Sequence, residues 1–293
     1  MDQIEIEISN CEGFDYLKTI EDNSVDLIVT DPPYIISKET GMDNFNNYIK
    51  DLEEKGIEYV KTEEDWTDHL SKNKIEGTDK QKDNYLRYGT IYGKKYCVQT
   101  NYGEWDENFT MEQLESFIKE YYKKLRKGGT MIMFFDIWKI SYLKELMEKY
   151  KFKGIRFVEW IKTNPQPLNS SRNYLTNSRE IALLGVKVGK PTFNSKYDNG
   201  LYIENIIDYY SESSSMIYQY PIPGGKKRCH PTQKSLKLFE DLIEKHSQEG
   251  DVILDTFLGS GTTALACKNL NRKFRGCEAN KDYYDKIISI TMD

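Results

Sequence analysis

The stretch from Val252 to Glu278 constrains the fold of this chain more than any other part of its sequence. It reads VILDTFLGSGTTALACKNLNRKFRGCE: an apolar run ending at Asp255, a glycine-rich turn, a helical pattern from Thr262 and a second apolar run. Glycines allow the backbone to approach a ligand closely, and a helix N-terminus offers unpaired N–H groups. Glu278 follows Gly259 by nineteen residues, where a carboxylate can accept hydrogen bonds from a ribose diol. The unit therefore predicts an adenosine-type cofactor in the crevice of an α/β fold.

The identity of that cofactor does not follow from the turn alone. Gly259, Gly261 and Ala264 also satisfy the G-x-G-x-x-A fingerprint of dinucleotide enzymes, so a nicotinamide-dependent (NAD) oxidoreductase is a competing interpretation. A nucleotide triphosphatase is excluded, because no Lys-Ser or Lys-Thr pair follows the glycines. A glycine turn without a ligand is the weakest alternative, since strand, turn, helix and distal acid fall in register.

Further apolar runs alternate with helical patterns along the chain. Runs that suit strands cover residues 4–8, 25–30, 130–135, 155–161, 181–188, 252–255 and 274–277. Helical patterns cover 111–127, which Gly128 and Gly129 are expected to stop, and 262–271. This alternation predicts an α/β fold with a doubly wound, mostly parallel sheet.

Composition narrows the class of protein. The longest uncharged apolar stretches, 131–135 and 181–186, are far shorter than the ~18 residues of a membrane-spanning helix, so no membrane is expected as a partner. Five scattered cysteines without a CxxC pair indicate reduced thiols and a cytoplasmic protein without a zinc site. The net charge of −6 weighs against nucleic acid unless basic residues are concentrated in one region.

Two stretches exceed the usual length of a connection. Residues 35–103 carry 11 basic and 13 acidic side chains and suggest a charged, solvated insertion or a lid. Residues 166–229 carry 8 basic and 5 acidic side chains with seven tyrosines, and they include the run from Asn169 to Asn173 and Lys226-Lys227-Arg228. Basic and aromatic side chains together suit a nucleic-acid surface, but an ordinary polar loop region explains the composition equally well.

A second motif, Asp31-Pro32-Pro33-Tyr34, follows the apolar run at 25–30. Ligands of open α/β sheets bind at the carboxyl ends of strands, so this loop can face the same crevice as the glycine turn. The prolines make the loop stiff, Asp31 supplies an acceptor and Tyr34 supplies a flat ring. Such a loop suits a planar base that carries an amino group.

DPPY, followed by HPTQK at 230–234 and LDTFLGSGTT at 254–263, resembles the amino-methylating DNA methyltransferases of the β class. The resemblance extends over about two thirds of the chain. Further matching pieces are Lys127-Gly128-Gly129, Trp160 to Pro165, Arg179-Glu180-Ile181 and Asn280 to Asp285. The sequence departs from the family pattern at Thr256, where proline is more frequent, and at Ser235, where HPTQK is usually followed by proline.

The resemblance implies a seven-stranded Rossmann-like sheet and S-adenosylmethionine as cofactor, with no metal. Asp31, Pro32, Pro33 and Tyr34 are then the catalytic residues: Asp31 and the Pro32 carbonyl accept hydrogen bonds from the target amine, and Tyr34 stacks on a flipped base. Glu278 binds the ribose, while Thr232 and Lys234 hold the carboxylate end of the cofactor. The full predicted cofactor set is Asp31, Thr232, Lys234, Asp255, Phe257, Gly259, Ser260, Gly261, Thr262, Thr263, Glu278 and Ala279.

The resemblance also implies a division of the chain. Residues 1–34, 104–165 and 230–293 form the catalytic domain, 35–103 the insertion or lid, and 166–229 the target recognition region. Predicted DNA-binding residues are Lys162, Asn164, Arg172, Arg179, Lys226, Lys227 and Arg228. The expected partner is double-stranded DNA, and a homodimer and a cognate restriction endonuclease are further expected partners.

The resemblance also implies the target: within the family, Asp at the first position of DPPY favours the N6 amino group of adenine, whereas Ser there favours N4 of cytosine. N4 of cytosine is the first alternative, and an RNA or nucleotide substrate comes after it. A catalytically silent DNA-binding relative is the last alternative, since nothing in DPPY is altered.

Overall fold

The structure is a computed structural model, and it describes residues 4–34, 41–96, 109–165, 177–194, 216–224 and 232–291. The chain forms two compact units: Met1–Ile35 together with Phe109–Asp293, and Ile36–Asn108. The strands are β1 Ile6–Ser9, β2 Val25–Thr30, β3 Leu125–Phe135, β4 Lys153–Lys162, β5 Arg179–Val186, β6 Ile217–Tyr220, β7 Val252–Asp255 and β8 Lys273–Cys277. The helices are α1 Gly13–Thr19, α2 Gly41–Glu54, α3 Glu63–Asn73, α4 Asp79–Tyr88, α5 Met111–Lys124, α6 Ile140–Lys149, α7 Leu236–His246, α8 Thr262–Asn269 and α9 Lys281–Thr291, with a 3₁₀ turn at Gly93–Tyr96.

The larger unit is built on one sheet in the order β1-β8-β7-β2-β3-β5-β4-β6. Among the strands that the structure describes, only β5 runs against the others, because it pairs antiparallel with both β3 and β4 while every other pair is parallel. The predicted mostly parallel α/β sheet is confirmed. The predicted number of seven strands is wrong, because β6 adds an eighth at the edge beside β4. Its four residues alternate between exposed and half-buried, a short pattern that was not recognised in the sequence.

Side chains of the central strands pack on both faces of the sheet. In β3, Met131 and Met133 belong to the core cluster that includes α1, α5 and α6, whereas Ile132 and Phe134 belong to the cluster that includes α7 and α8. Successive side chains of a strand point to opposite faces, so a continuous apolar run indicates burial on both sides. Helices on both faces confirm the doubly wound arrangement.

Helix α5 ends before Gly128 and Gly129, the residues that were expected to stop it. It begins after Thr110, whose side chain accepts from the backbone N–H of Gln113 in a capping box, and it ends at Lys124. Strand β3 then starts at Leu125, and its register against β2 shifts between Val25 and Leu27. The glycines therefore lie inside the strand, next to this irregularity, and they do not end the helix.

The unit Ile36–Asn108 is largely helical in its described part, where composition had suggested a solvated insertion or lid. Capping boxes at Thr62 with Asp65 and at Thr78 with Gln81 begin α3 and α4. Trp66 is buried, and its ring centroid lies 5.5 Å from that of Tyr85. The T-x-x-D and T-x-x-Q patterns were readable helix starts that the high charge content obscured.

The range 166–229, predicted as a recognition region, supplies β5 and β6 to the sheet of the larger unit. Most of the remainder of this range lies outside the described residues. Within the described part of the chain, every helix is too short or too polar to cross a bilayer.

Candidate active site

Three neighbouring parallel strands, β2, β7 and β8, end at the same edge of the sheet. Asp31 follows β2, the glycine turn follows β7 at Asp255, and Glu278 follows β8. The hydroxyl of Thr30 donates to Asp255 Oδ1 over 2.8 Å, in the interior of the protein. The ends of β2 and β7, which precede the DPPY loop and the glycine turn, are thereby joined by a direct hydrogen bond.

Asp255 is a buried junction between the strands and α8. Its Oδ1 also accepts from the backbone N–H of Phe257 at 3.0 Å, and its Oδ2 accepts from the Thr263 hydroxyl at 2.6 Å. Burial raises the pKa of Asp255 to about 6, although these hydrogen bonds oppose the shift. Only 3% of the residue is exposed. These contacts give Asp255 a role in holding the turn, whereas the sequence had predicted a cofactor contact.

The glycine turn has the backbone conformation that its sequence suggested. Gly259 and Gly261 have φ values of +55° and +78°, in the left-handed region where other residues are strained. A Cβ on Gly261 would lie 3.0 Å from a methyl carbon of Ile287 in α9. The hydroxyls of Ser260 and Thr262 lie 2.8 Å apart at the start of α8. The predicted strand–turn–helix unit is therefore present, from β7 to α8.

Glu278 follows β8, the strand beside β7, and its carboxylate forms a hydrogen bond with the glycine turn. Its Oε2 accepts from the backbone N–H of Gly259 at 2.7 Å, and its Oε1 accepts from that of Asn280 at 2.8 Å. Burial raises the pKa of Glu278, and the two backbone donors oppose this shift. The neighbouring predicted cofactor residues differ in exposure: Phe257 is half-buried and packs 4.8 Å from the ring of Phe117, whereas Ala279 is exposed.

Four charged side chains form a buried network beside the DPPY loop. The Lys234 ammonium lies 2.5 Å from Asp31 Oδ2 and 2.8 Å from Glu180 Oε2, and the Lys162 ammonium lies 2.6 Å from Glu180 Oε1. The side chain of Lys234 is 7% exposed. Lys234 was predicted to hold the cofactor's carboxylate, but the structure pairs its ammonium with two carboxylates of the protein itself.

The network separates the protonation behaviour of its two acids. Burial raises the pKa of Asp31; Lys234 opposes this shift, and the nearby carboxylate of Glu180 adds to it. Burial acts on Glu180 in the same direction, but Lys234 and Lys162 together lower its pKa to about 2. Burial alone would lower the pKa of Lys234, yet the two carboxylates hold it above its ordinary value. Glu180 therefore stays ionised, and Asp31 is the group whose charge is least compensated.

Asp31 and Tyr34 retain unused polar atoms. Asp31 Oδ1 and the Tyr34 hydroxyl are buried and lack a hydrogen-bond partner of good geometry among the described residues. The Tyr34 ring lies edge-on to Phe135, with centroids 6.0 Å apart, and the Lys234 ammonium is 5.7 Å from the Tyr34 centroid. Pro32, between these residues, is buried, and Pro33 is half-buried. A buried acceptor without a donor is costly, so Asp31 Oδ1 is positioned to receive a donor from a ligand.

Three of the predicted DNA-binding residues are described, and they lie at or just beyond the adjoining ends of β4 and β5. Lys162 belongs to the buried network, and Arg179 lies 2.9 Å from Glu159 with its side chain 59% exposed. The Asn164 amide donates to the carbonyl of Ile222 at 3.0 Å and accepts from its N–H at 2.6 Å, which indicates a structural role. Arg172, Lys226, Lys227 and Arg228 lie outside the described residues, as do His230 and Pro231 of the HPTQK motif. Thr232 of the same motif is among the described residues, and it is exposed.

Both departures from the family pattern are accommodated. The Thr256 hydroxyl lies 2.5 Å from the hydroxyl of Tyr121, inside the core. Ser235 occupies the N-cap of α7 with an extended backbone, and its φ of −67° is one that proline also adopts. Neither substitution removes a side chain that faces the carboxyl edge.

Glu180 is the site residue that sequence reasoning missed. Its signal was an acidic residue at the beginning of an apolar strand, REIALLGV, where a half-buried carboxylate requires a partner. The partners, Lys162 and Lys234, come from β4 and from the residues before α7, so the sequence could not show that they meet.

A family model described as a DNA methylase, of the N6 and N4 type, matches residues 25–289. The Type II methyltransferase M.HpaI of Haemophilus parainfluenzae is 27% identical over 92% of this chain and 68% of its own length. M2.DpnII of Streptococcus pneumoniae is 31% identical over 64% of this chain and 70% of its own length.

The crystal structure of the M1.HpyAVI–SAM complex has a TM-score of 0.57 and 27% identity, covering 97% of this chain and 99% of that one. The cytosine-N4-specific PvuII DNA methyltransferase, with a TM-score of 0.61 at 15% identity, covers 98% and 86% of the two chains and shares the fold. The chain belongs to this family of DNA methylases.

Proposed function

We propose that this protein transfers a methyl group from S-adenosylmethionine to the N6 amino group of adenine in double-stranded DNA, at a specific sequence. The observation that carries the proposal is Asp31 Oδ1, a buried acceptor without a donor, one residue beyond Thr30, which contacts the glycine-turn junction Asp255. The family and the Type II methyltransferases among the relatives support DNA as the substrate.

The residues at the edge of the sheet fit S-adenosylmethionine, which the similar M1.HpyAVI structure contains. The carboxylate of Glu278 is half-buried at the end of β8, where it can accept from a ribose diol. The glycines at 259 and 261 leave the start of α8 free of side-chain bulk. Phe257, Ser260, Thr262, Thr263, Thr232 and Ala279 are the remaining proposed contacts, and Asp31 faces the transferable group. S-adenosylmethionine, when bound, supplies a methyl group on a positively charged sulfur.

The protein's part in the reaction is orientation of the amine and removal of its proton. Asp31 Oδ1 and the Pro32 carbonyl accept the two amine hydrogens, and Tyr34 stacks on the base, which turns the amine lone pair toward the methyl donor. The amine loses one proton for each methyl group it gains. Asp31, whose pKa is raised by burial, is the acceptor for that proton.

Mass spectrometry of nucleosides tests the proposal. Unmethylated DNA is incubated with the protein and methyl-labelled S-adenosylmethionine, with Asp31→Ala as the matched inactive variant. We expect labelled N6-methyladenine that is absent with Asp31→Ala. N4-methylcytosine would keep the mechanism and change the base, whereas no methylated nucleoside despite proven cofactor binding would refute the proposed activity on this DNA.

The DNA-binding role of the recognition region also remains a proposal. Arg172, Arg179, Lys226, Lys227 and Arg228 form its proposed basic set, in a range whose excess of basic residues contrasts with the acidic chain. The Type II methyltransferases among the relatives support a restriction-modification context, and a cognate endonuclease and a homodimer stay proposed partners.

A further inference from the structure

Asp31 and Lys234 present a hydrogen-bond acceptor and a hydrogen-bond donor side by side. One oxygen of Asp31, Oδ2, lies 2.5 Å from the Lys234 ammonium, while Oδ1 has no hydrogen-bond partner of good geometry among the described residues, although the Tyr34 hydroxyl lies near the carboxyl group. The contact fixes the two groups relative to each other; Lys234 is buried and Asp31 is half-buried. A ligand edge that meets them must carry a donor next to an acceptor.

Lys234 is suited to act as a permanent donor. An ammonium has three N–H groups, and that of Lys234 lies 2.5 Å from Asp31 Oδ2 and 2.8 Å from Glu180 Oε2. The same two carboxylates hold its pKa above the ordinary value, so the group keeps its proton at neutral pH. The ring of Tyr34, on which we place the target base, has its centroid 5.7 Å from this ammonium.

The Watson–Crick edge of adenine has the complementary pattern. Its amino group and the bare ring nitrogen N1 are attached to the same carbon, so the donor and the acceptor are neighbours. We propose that Lys234 donates a hydrogen bond to N1 of the target adenine while Asp31 Oδ1 accepts from its amino group. This inference rests on the proposed function and adds a substrate-binding role for Lys234, in place of the cofactor contact that the sequence had predicted.

The pair selects a class of base. Cytosine also carries an amino group next to a bare ring nitrogen, N3, and satisfies the same two groups. Thymine carries no amino group on this edge, and in guanine the ring nitrogen next to the amino group, N1, carries a hydrogen, so it cannot accept from Lys234. Discrimination between adenine and cytosine then belongs to residues other than Asp31 and Lys234.

Glu180 and Lys162 have a supporting role in this arrangement. Glu180 contacts the Lys234 ammonium at 2.8 Å and is itself contacted by Lys162 at 2.6 Å. Glu180 is therefore a positioning residue. Its replacement by Gln weakens the grip on Lys234 without removing the donor or the acceptor.

Base analogues test the contact with N1 directly. The recognition site is first mapped by sequencing the DNA methylated in the nucleoside assay, and duplexes are made with adenine, 1-deazaadenine or 7-deazaadenine at the target. We expect kcat/KM to fall roughly 10- to 100-fold for 1-deazaadenine, the range for loss of a hydrogen bond to a charged donor, and to change far less for 7-deazaadenine. Equal rates with adenine and 1-deazaadenine would overturn the inference while leaving the proposed function intact.

Variants at Lys234 separate this role from a cofactor contact. We expect the Lys234→Met variant to methylate adenine as slowly as it methylates 1-deazaadenine. Its affinity for S-adenosylhomocysteine should be preserved. The Lys234→Arg variant should keep part of the discrimination between the two bases. Glu180→Gln is expected to lower the ratio between the two bases, again without a change in cofactor affinity. If Lys234→Met still discriminates fully between adenine and 1-deazaadenine and binds S-adenosylhomocysteine more weakly, Lys234 contacts the cofactor and the inference is wrong. If Lys234→Met does not fold, the analogue rates of the unaltered enzyme decide alone.

Discussion

Asn164 illustrates at the residue scale how a polar side chain near a site can be fully used by the fold. Its amide nitrogen donates a hydrogen bond to the Ile222 carbonyl at 3.0 Å, and its amide oxygen accepts one from the Ile222 N–H at 2.6 Å. Asn164 follows β4 and Ile222 follows β6, two strands that pair in parallel. The side chain continues the backbone pairing beyond the end of the two strands, which gives Asn164 a structural role.

Replacing Asn164 by Ala is expected to lower the free energy of unfolding by about 1–3 kcal/mol, because two half-buried backbone groups lose their partner. Asn164→Asp is the matched control, since it keeps the acceptor and loses only the donor, and it should cost less. Urea denaturation gives both values. DNA affinity and its salt dependence should be unchanged in molecules that remain folded, and a smaller salt slope in Asn164→Ala would restore the predicted DNA contact.

At the scale of elements, the turn between β7 and α8 depends on the absence of a side chain at Gly261. Alanine there is expected to destabilise the protein by about 1–2 kcal/mol, because φ is +78° and the new Cβ lies 3.0 Å from a methyl carbon of Ile287. Combining Gly261→Ala with Ile287→Ala removes the contact but not the backbone strain. Thermal unfolding of the two single variants and the double variant should therefore show a cost smaller than the sum. An additive result would mean that only the backbone matters.

The junction at Asp255 gives the stability of the same region a pH dependence. The folded protein holds the pKa of Asp255 at about 6, against 3.8 in the unfolded chain, so between these values only the folded state retains the proton. Its contribution to stability is present at pH 4 and is lost as pH rises through 6, a change of about 3 kcal/mol. Asp255→Asn has no charge to titrate.

Measured by urea denaturation, the stability of Asp255→Asn relative to the unaltered protein should therefore rise between pH 4 and pH 7. Taking the difference between the two proteins cancels the titration of every other group. A difference that stays constant over this range would show that the Asp255 carboxyl has an ordinary pKa in the folded protein.

The elements also show which parts of the fold and site could be predicted from sequence. The turn at Gly259, the DPPY loop and their common edge follow from local patterns and from the rule that ligands bind at carboxyl ends of parallel strands. The edge strand β6 was missed because four residues with weak alternation carry little signal. The pairing of Lys234 with Asp31 and Glu180 was missed for another reason: it depends on three-dimensional proximity between segments that are distant in the chain.

At the scale of the whole molecule, the distribution of charge must reconcile a net charge of −6 with a DNA substrate. Described lysines on the helices are mostly paired within their own surroundings, as Lys18 is with Asp15 and Lys144 with Glu148. Such pairs add little attraction for phosphate. The excess of basic residues in 166–229, which carries 8 basic against 5 acidic side chains, is the feature that suits a local phosphate-binding surface.

Charge reversal at Lys226, Lys227 and Arg228, each replaced by Glu, is therefore expected to weaken DNA binding and to reduce the slope of log K against log salt by about 2–3. The control is a triple reversal of Lys18, Lys144 and Lys149, exposed lysines of α1 and α6, which changes the net charge by the same amount. Fluorescence anisotropy with a labelled duplex at several salt concentrations gives both slopes. A reduced slope only in the first protein locates the phosphate contacts in this basic run. Equal slopes in the two proteins would mean that net charge alone governs binding, and the recognition region would then have to lie elsewhere in the chain.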